Sequence, residues 1–130
     1  MSHPSEDLIR RLYKAFASQD MAVINELLDD DITWHAPGRA RNAGTRRGKP
    51  ALFAVMGELA QLTGGTMSSE VHDVLANDNG AVVLQTTRAR RDGHPALEDR
   101  EVLVFEVRKG KVTEVWEHPG DLYAMEAFFE

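Results

Sequence analysis

The chain has 130 residues, a formal net charge of −6 at pH 7 and no cysteine. This length suits one domain with a real hydrophobic core, so we predict a single domain over residues 1–130. The acidic balance argues against a general nucleic-acid binder, and the lack of cysteine excludes disulfides and thiolate metal sites.

The N-terminal half has helical periodicity. Ser5 followed by two acids predicts the start of a first helix, because a capping hydroxyl and negative charge both favour that end. A shorter second helix is predicted from Asp20, and residues 32–36 form a short strand. A third helix begins near Lys49-Pro50 and ends at Gly64-Gly65, since glycine suits the left-handed cap.

A basic segment interrupts this otherwise acidic chain before the third helix. Two interpretations are open: a solvated loop, because basic residues usually lie at the surface, or a rim that attracts anionic ligands. The residues concerned are Arg39, Arg41, Arg46, Arg47 and Lys49.

The period changes from helical to alternating at residue 66. Four strands are predicted at 66–76, 81–90, 97–108 and 111–118, separated by turns rich in glycine, asparagine and aspartate. Helices first and an antiparallel meander second indicate an α+β domain. We predict three helices on a curved four-stranded antiparallel sheet plus the short first strand, enclosing a cone.

This arrangement resembles the nuclear transport factor two-like superfamily, and within it the SnoaL-like, ketosteroid-isomerase-like bacterial proteins. The motifs that carry the resemblance are Trp34-His35-Ala36-Pro37-Gly38, the loop at residues 43–48 and Trp116-Glu117-His118-Pro119-Gly120-Asp121. It implies a cystatin-like cone, or α+β barrel, with an apolar ligand pocket, and a homodimer formed through the outer sheet face. The activity stays open, because the superfamily includes isomerases, cyclases, epoxide hydrolases, dehydratases and proteins that only bind.

The family's catalytic patterns match this chain only in part. Ala36 and Leu103 stand where ketosteroid isomerases have their two aspartates. The epoxide hydrolase positions hold Thr86, Arg88 and His118 instead of an arginine and two aspartates. Only the aspartate near the end of the last strand, which SnoaL-type cyclases require, has a counterpart here, at Asp121.

Alternation places Trp116 and His118 on one face of the last strand, and we predict that this face points inward. The predicted catalytic groups are His118 as base, Asp121 or Glu101 to orient it, and Arg88 to stabilise an oxyanion. The predicted ligand-binding residues are Trp34, Ala36, Leu103, Phe105 and Trp116.

Structural roles are open for the same residues. His118 can hydrogen-bond a backbone carbonyl, Asp121 can cap a helix that follows it, and Arg88 and Glu101 can pair across the sheet. Both tryptophans can be core residues. The histidine spacing gives no ligand set, so neither a metal nor a cofactor is expected.

We hypothesise a cofactor-independent enzyme, an isomerase, cyclase or dehydratase, that shifts protons on a small hydrophobic carbonyl substrate. The alternative is a non-catalytic ligand-binding or dimeric association domain. The outward apolar set, Val102, Val104 and Val115, favours a homodimer. With neither a signal-peptide pattern nor a membrane-spanning run, we expect a cytoplasmic protein without membrane or nucleic-acid partners.

Overall fold

The structure, a computed structural model, describes all 130 residues, Met1–Glu130. The chain forms four helices and six strands in the following order: α1 (Pro4–Ser18), α2 (Met21–Leu27), β1 (Leu28–Ala36), β2 (Gly44–Arg47), α3 (Lys49–Leu62), β3 (Ser68–Asn77), β4 (Gly80–Ala89), β5 (Leu97–Arg108), β6 (Lys111–His118) and α4 (Leu122–Phe129). The α+β class is therefore confirmed, whereas the predicted numbers of helices and strands were wrong.

The six strands form one mixed sheet in the order β2-β1-β6-β5-β4-β3. β1 pairs in parallel with β6, and every other neighbouring pair is antiparallel. A parallel pair needs a long crossover, which the intervening helix and meander supply. The predicted four-stranded sheet missed β2, because four residues inside a basic segment show no recognisable alternation.

Local capping explains the helix starts. The second helix was predicted from Asp20, and α2 begins one residue later with Asp20 as its cap, whose side chain accepts a hydrogen bond from the Val23 amide at 3.3 Å. The prediction for Ser5 was wrong: α1 begins at Pro4, and His3 is the cap, with its Nδ1 accepting from the Ser5 amide at 3.0 Å. Proline at the first helical position needs no hydrogen-bond partner, so the helix extends one residue further back.

The main core lies between the helices and the inward face of the sheet. Its largest fully buried members include Ile9, Leu12, Ile32 and Val115. A second cluster of five buried residues lies under α4. α1 packs on β3 and β4, and α3 packs on β1 and β2, so the inward faces of β5 and β6 lie beneath the space between these helices.

The register of β5 and β6 decides which side chains enter that space. Leu103 lies opposite Glu117, while Val104 lies opposite Trp116. Because paired residues share a face, Glu117 points inward with the buried Leu103, and Trp116 points outward. The pairing shifts between Glu106 and Val107. The predicted orientation of Trp116 was wrong, since this irregularity and the buried Val115 fix the opposite parity.

Candidate active site

Five elements bring polar side chains together on the inward side of the sheet. β6 supplies Glu117, β5 supplies Glu101, β4 supplies Gln85, α1 supplies Tyr13 and β1 supplies Trp34. The charge of Glu101 acts on Glu117, and the charges of both glutamates act on the tyrosine. These groups therefore form one interior polar cluster surrounded by apolar core.

Glu117 is the central group of this cluster. The indole Nε1 of Trp34 donates a hydrogen bond to its Oε2 at 2.8 Å. Burial raises the pKa of Glu117 to about 7, the negative charge of Glu101 adds to this, and the Trp34 hydrogen bond opposes it. A carboxyl group with this pKa exchanges a proton readily near neutrality.

Glu101 lies deeper than Glu117, with only 4% of its surface exposed. Its Oε2 is buried and has no hydrogen-bond partner. Burial raises the pKa of Glu101, the charge of Asp99 adds to the rise, and a hydrogen bond involving Thr87 counteracts it. A second carboxyl is thus held close to Glu117 in surroundings that disfavour a full negative charge on both.

Tyr13 supplies a neutral hydrogen-bond donor at this site. Its hydroxyl donates to Gln85 Oε1 at 2.5 Å, and Gln85 Nε2 donates to the Thr87 hydroxyl at 2.9 Å. Burial, together with the charges of Glu101 and Glu117, holds the pKa of Tyr13 well above its usual range. The phenol therefore keeps its proton at neutral pH.

Aromatic rings form one wall of the cluster. Phe105 meets Tyr13 edge-to-face with centroids 6.0 Å apart, and meets Trp34 in the same way at 6.2 Å. Phe105 is fully buried, whereas Tyr13, Trp34 and Glu117 are half-buried. Solvent therefore reaches the edge of the cluster, while its base is closed by the sheet.

The structure gathers about half of the predicted site residues on this inward side. Trp34, Glu101, Leu103 and Phe105 lie there as predicted. Ala36 lies two residues beyond Trp34 on β1 and is half-buried, on the same face. These placements agree with the predicted inner surface, although they do not test the predicted catalytic roles.

Three predicted inward orientations were wrong. His118 is exposed at the end of β6, opposite Val102 on the outer face. Trp116 lies on the same face, where its ring stacks on His35 with centroids 5.6 Å apart. Arg88 is exposed and pairs with Glu70 at 2.7 Å and with Glu98 at 3.4 Å, because its register on β4 puts it opposite Glu98 rather than Glu101.

Asp121 takes the capping position that the sequence left as an alternative. Its side chain accepts a hydrogen bond from the Ala124 amide at 3.0 Å at the start of α4, and the residue is exposed. The amides of Gly120 and Asp121 donate to the buried Asp99 at 3.0 and 2.9 Å. A Cβ at Gly120 would collide with the carbonyl oxygen of Arg100, so only glycine fits this close turn.

Sequence reasoning missed Glu117, Tyr13 and Gln85. Two signals were available: Tyr13 lies four residues after the buried Ile9 on α1, and Glu117 shares strand parity with Val115. If the alternation in β6 is counted from an inward Val115 and not from an inward Trp116, Glu117 is predicted to point inward. Gln85 had no comparable signal.

The basic segment lies away from the cluster. Arg39 and Arg41 are exposed and line, with residues of α4, a surface cleft of about 520 Å³. Lys49 pairs with Asp30 at 3.0 Å and donates to the Asn25 carbonyl at 2.7 Å. Exposure of both arginines agrees with a solvated loop, while Lys49 anchors the start of α3.

No group of three or more histidine, aspartate and glutamate side chains is arranged to hold a metal ion. None of the four helices is both long and apolar enough to cross a membrane.

Comparison with known proteins gives one consistent result. Residues 9–115 match the model of the SnoaL-like domain. An uncharacterized protein of Mycobacterium tuberculosis is 35% identical over 124 residues, covering 95% of this chain and 94% of that one. The solved structure of Bal32a, from a soil-derived mobile gene cassette, has 38% identity and a TM-score of 0.92, covering 98% of this chain and 97% of that one.

A more distant solved structure shares the fold alone. IdmH of Streptomyces antibioticus, named provisionally as a polyketide cyclase, is 24% identical with a TM-score of 0.76. The alignment covers 95% of this chain and 96% of that one.

Proposed function

The chain belongs to the SnoaL-like domain family, and from this premise we propose that it is a cofactor-independent enzyme that moves a proton on a hydrophobic carbonyl compound, as isomerases and cyclases do. The observation that carries the proposal is Glu117, a half-buried carboxyl that Trp34 holds beside a neutral tyrosine and whose pKa is raised to about 7. A general base works best when its pKa lies near the operating pH.

The chemistry follows from the positions of Glu117 and Tyr13. The Glu117 carboxylate takes a proton from a carbon next to the carbonyl, and the electrons of the broken C–H bond form an enolate. Tyr13, released from Gln85, donates its hydroxyl hydrogen bond to the enolate oxygen. Glu117 then returns its proton to carbon, so an isomerised product leaves with the enzyme unchanged.

Glu101 and Trp34 would tune the base. The neighbouring carboxyl raises the pKa of Glu117, and the indole N–H fixes the position of its Oε2. Removing Glu101 would lower the basicity of Glu117 without removing the base itself. The apolar wall of Phe105 would hold the hydrophobic part of the substrate.

Exchange of carbon-bound protons with deuterium tests this proposal without knowledge of the product. Phenylacetone and 2-tetralone, two hydrophobic ketones, would be incubated in D2O and their α-proton signals followed by NMR. Wild-type protein should accelerate exchange, and Glu117→Gln should slow it by at least about 100-fold. Glu114→Gln, on the outer face of the same strand, is the matched control.

The outcome decides between a base and a passive cavity. Exchange that survives Glu117→Gln, or protein that never exceeds buffer with either ketone, would contradict the proposal. Tyr13→Phe separates the two roles further, because it keeps the base and removes the oxyanion donor.

A second copy of the chain is the partner that we propose for the outer sheet face. Val82, Val104 and Trp116 line a shallow groove of about 290 Å³ there, next to Leu75, which is 55% exposed. Val115, which was predicted for this set, is fully buried inside and was assigned to the wrong face. Sedimentation should give a dimer, and Trp116→Glu should convert it to monomer; a monomeric wild type would contradict this.

A further inference from the structure

The interior cluster is surrounded by acidic groups alone. The charges that raise the pKa values of Tyr13, Glu101 and Glu117 come from Asp99, Glu101 and Glu117. The ion pairs of the structure, such as Arg88 with Glu70, lie elsewhere at its surface. No basic side chain is among the charges that act on these three groups, so a carboxyl that ionises here favours a cation over an anion as its partner.

One atom of the cluster lacks a partner. Glu101 Oε2 is buried and has no hydrogen-bond partner, and only 4% of the surface of Glu101 is exposed. Asp99, on the same strand and equally buried, receives two backbone amide hydrogen bonds. A buried carboxylate oxygen without a donor is costly, so a donor supplied from outside would be bound with a net gain.

The aromatic wall adds to this preference. Phe105 meets Tyr13 at an interplanar angle of 67° and Trp34 at 87°, and Trp34 in turn contacts Glu117. Aromatic faces attract organic cations, and they do so most strongly where water is excluded. Carboxylates beside aromatic rings are the chemistry that recognises a protonated amine.

We infer that the ligand of this site carries a protonated amine, which Glu101 Oε2 binds beside the rings of Tyr13, Trp34 and Phe105. The inference rests on the proposed function, since it takes Glu117 as the base that acts on the same molecule. Glu101 is then a specificity residue that anchors the ammonium group, and Glu117 stays free to accept a proton.

Three compounds that differ in one group test the ligand class: 2-phenylethylamine, 2-phenylethanol and phenylacetate. Binding would be followed by the NMR signal of the Trp34 indole N–H, which touches Glu117. The amine should bind at least about tenfold more tightly than the alcohol, and phenylacetate should not bind. Glu101→Gln should remove that preference, whereas Glu114→Gln on the outer face should keep it.

Equal binding of amine and alcohol, or no amine binding at millimolar concentration, would overturn the inference. It would also fail if Glu101→Gln kept the tenfold preference. These results are separate from the ketone exchange assay: exchange that depends on Glu117 without amine preference would leave the proposed function intact. If the amine binds through Glu101 but the protein does not accelerate ketone exchange, the inferred amine site stands and the proposed enzymatic function is contradicted.

Discussion

Glutamates on the inner and outer faces of the sheet have pKa values shifted in opposite directions. Glu117 points inward, accepts a hydrogen bond from the Trp34 indole, and has its pKa raised to about 7 by burial. Glu70 points outward, where the Arg88 hydrogen bond and charge hold the pKa of its carboxyl below the ordinary value. Glu114, on the same strand as Glu117, faces His35 Nε2 at 2.6 Å.

The surroundings of each glutamate, and not its position along a strand, therefore decide whether its pKa is lowered or raised. On the outer face, Arg88 favours the ionised form of Glu70 and so lowers its pKa. On the inner face, Glu101 and Glu117 have only an indole, a threonine and nearby carboxyls around them, so burial raises their affinity for protons. Acid–base capability is therefore confined to one side of the sheet.

The largest expected effect contrasts packing on the two faces. Phe105→Ala should lower the free energy of unfolding by about 3–5 kcal/mol, because it opens a cavity beneath Tyr13 and Trp34. Val104→Ala, the adjacent residue on the half-buried outer face, should cost only about 1 kcal/mol. Urea unfolding of dilute protein measures both; similar costs would break the contrast between the faces.

The sequence predicted β5 and β6 to the residue, since alternation and glycine-rich turns mark their ends. It did not predict which way β6 faces. The sequence predicts an inward Trp116, whereas the register shift beside Glu106 puts Val115 inward instead. A bulge changes parity without leaving a local signal, so every assignment after it is reversed.

The candidate site was recoverable only in part for the same reason. Glu101, Leu103 and Phe105 lie on the part of β5 where alternation is uninterrupted, and their inward orientation follows from it. Glu117 lies beyond the irregularity in pairing. The Tyr13–Gln85 hydrogen bond joins residues 72 positions apart, which requires the tertiary structure.

The second prediction concerns the pH dependence of stability. The folded pKa of Glu117 is about 7 against an ordinary value of 4.5, so the folded protein keeps a proton that the unfolded chain loses between these values. Stability should therefore fall as pH rises from 4.5 to 7, by up to about 3 kcal/mol, and then level. The raised pKa of Glu101 acts in the same direction.

Glu117→Gln provides the control for this linkage, because it keeps the shape and removes the titration. Urea unfolding at pH 5 and pH 8 should show a smaller loss of stability for the variant than for the wild type. An equal loss in both proteins would mean that Glu117 titrates normally.

The third prediction tests the assignment of Asp121 to the helix and not to the inner face. Asp121→Ala should destabilise the protein by about 1 kcal/mol, because the Ala124 amide loses its cap. Asp121→Asn, which retains a capping oxygen, should be nearly neutral. Ketone exchange should be unchanged by either substitution, and a loss of exchange in folded Asp121→Asn would return this residue to the reaction.

The smallest expected effect is that of His118→Ala. The residue is exposed on the outer face, so unfolding should change by less than about 0.5 kcal/mol. Exchange of the ketone α-protons should stay within about twofold of wild type. A slowing comparable with that of Glu117→Gln would show that the outer end of β6 takes part in catalysis.

An NMR titration of Glu117 tests directly whether this carboxyl takes up a proton near neutral pH. Protein labelled with ¹³C at the glutamate carboxyl groups would be titrated from pH 4 to pH 9, with the Glu117→Gln variant used to assign its signal. We expect a midpoint near 7, with a coupled change at the Trp34 indole N–H. A midpoint at the ordinary value of 4.5 would mean that burial leaves Glu117 an ordinary carboxylate, and Glu117 would then not be a base poised near neutrality.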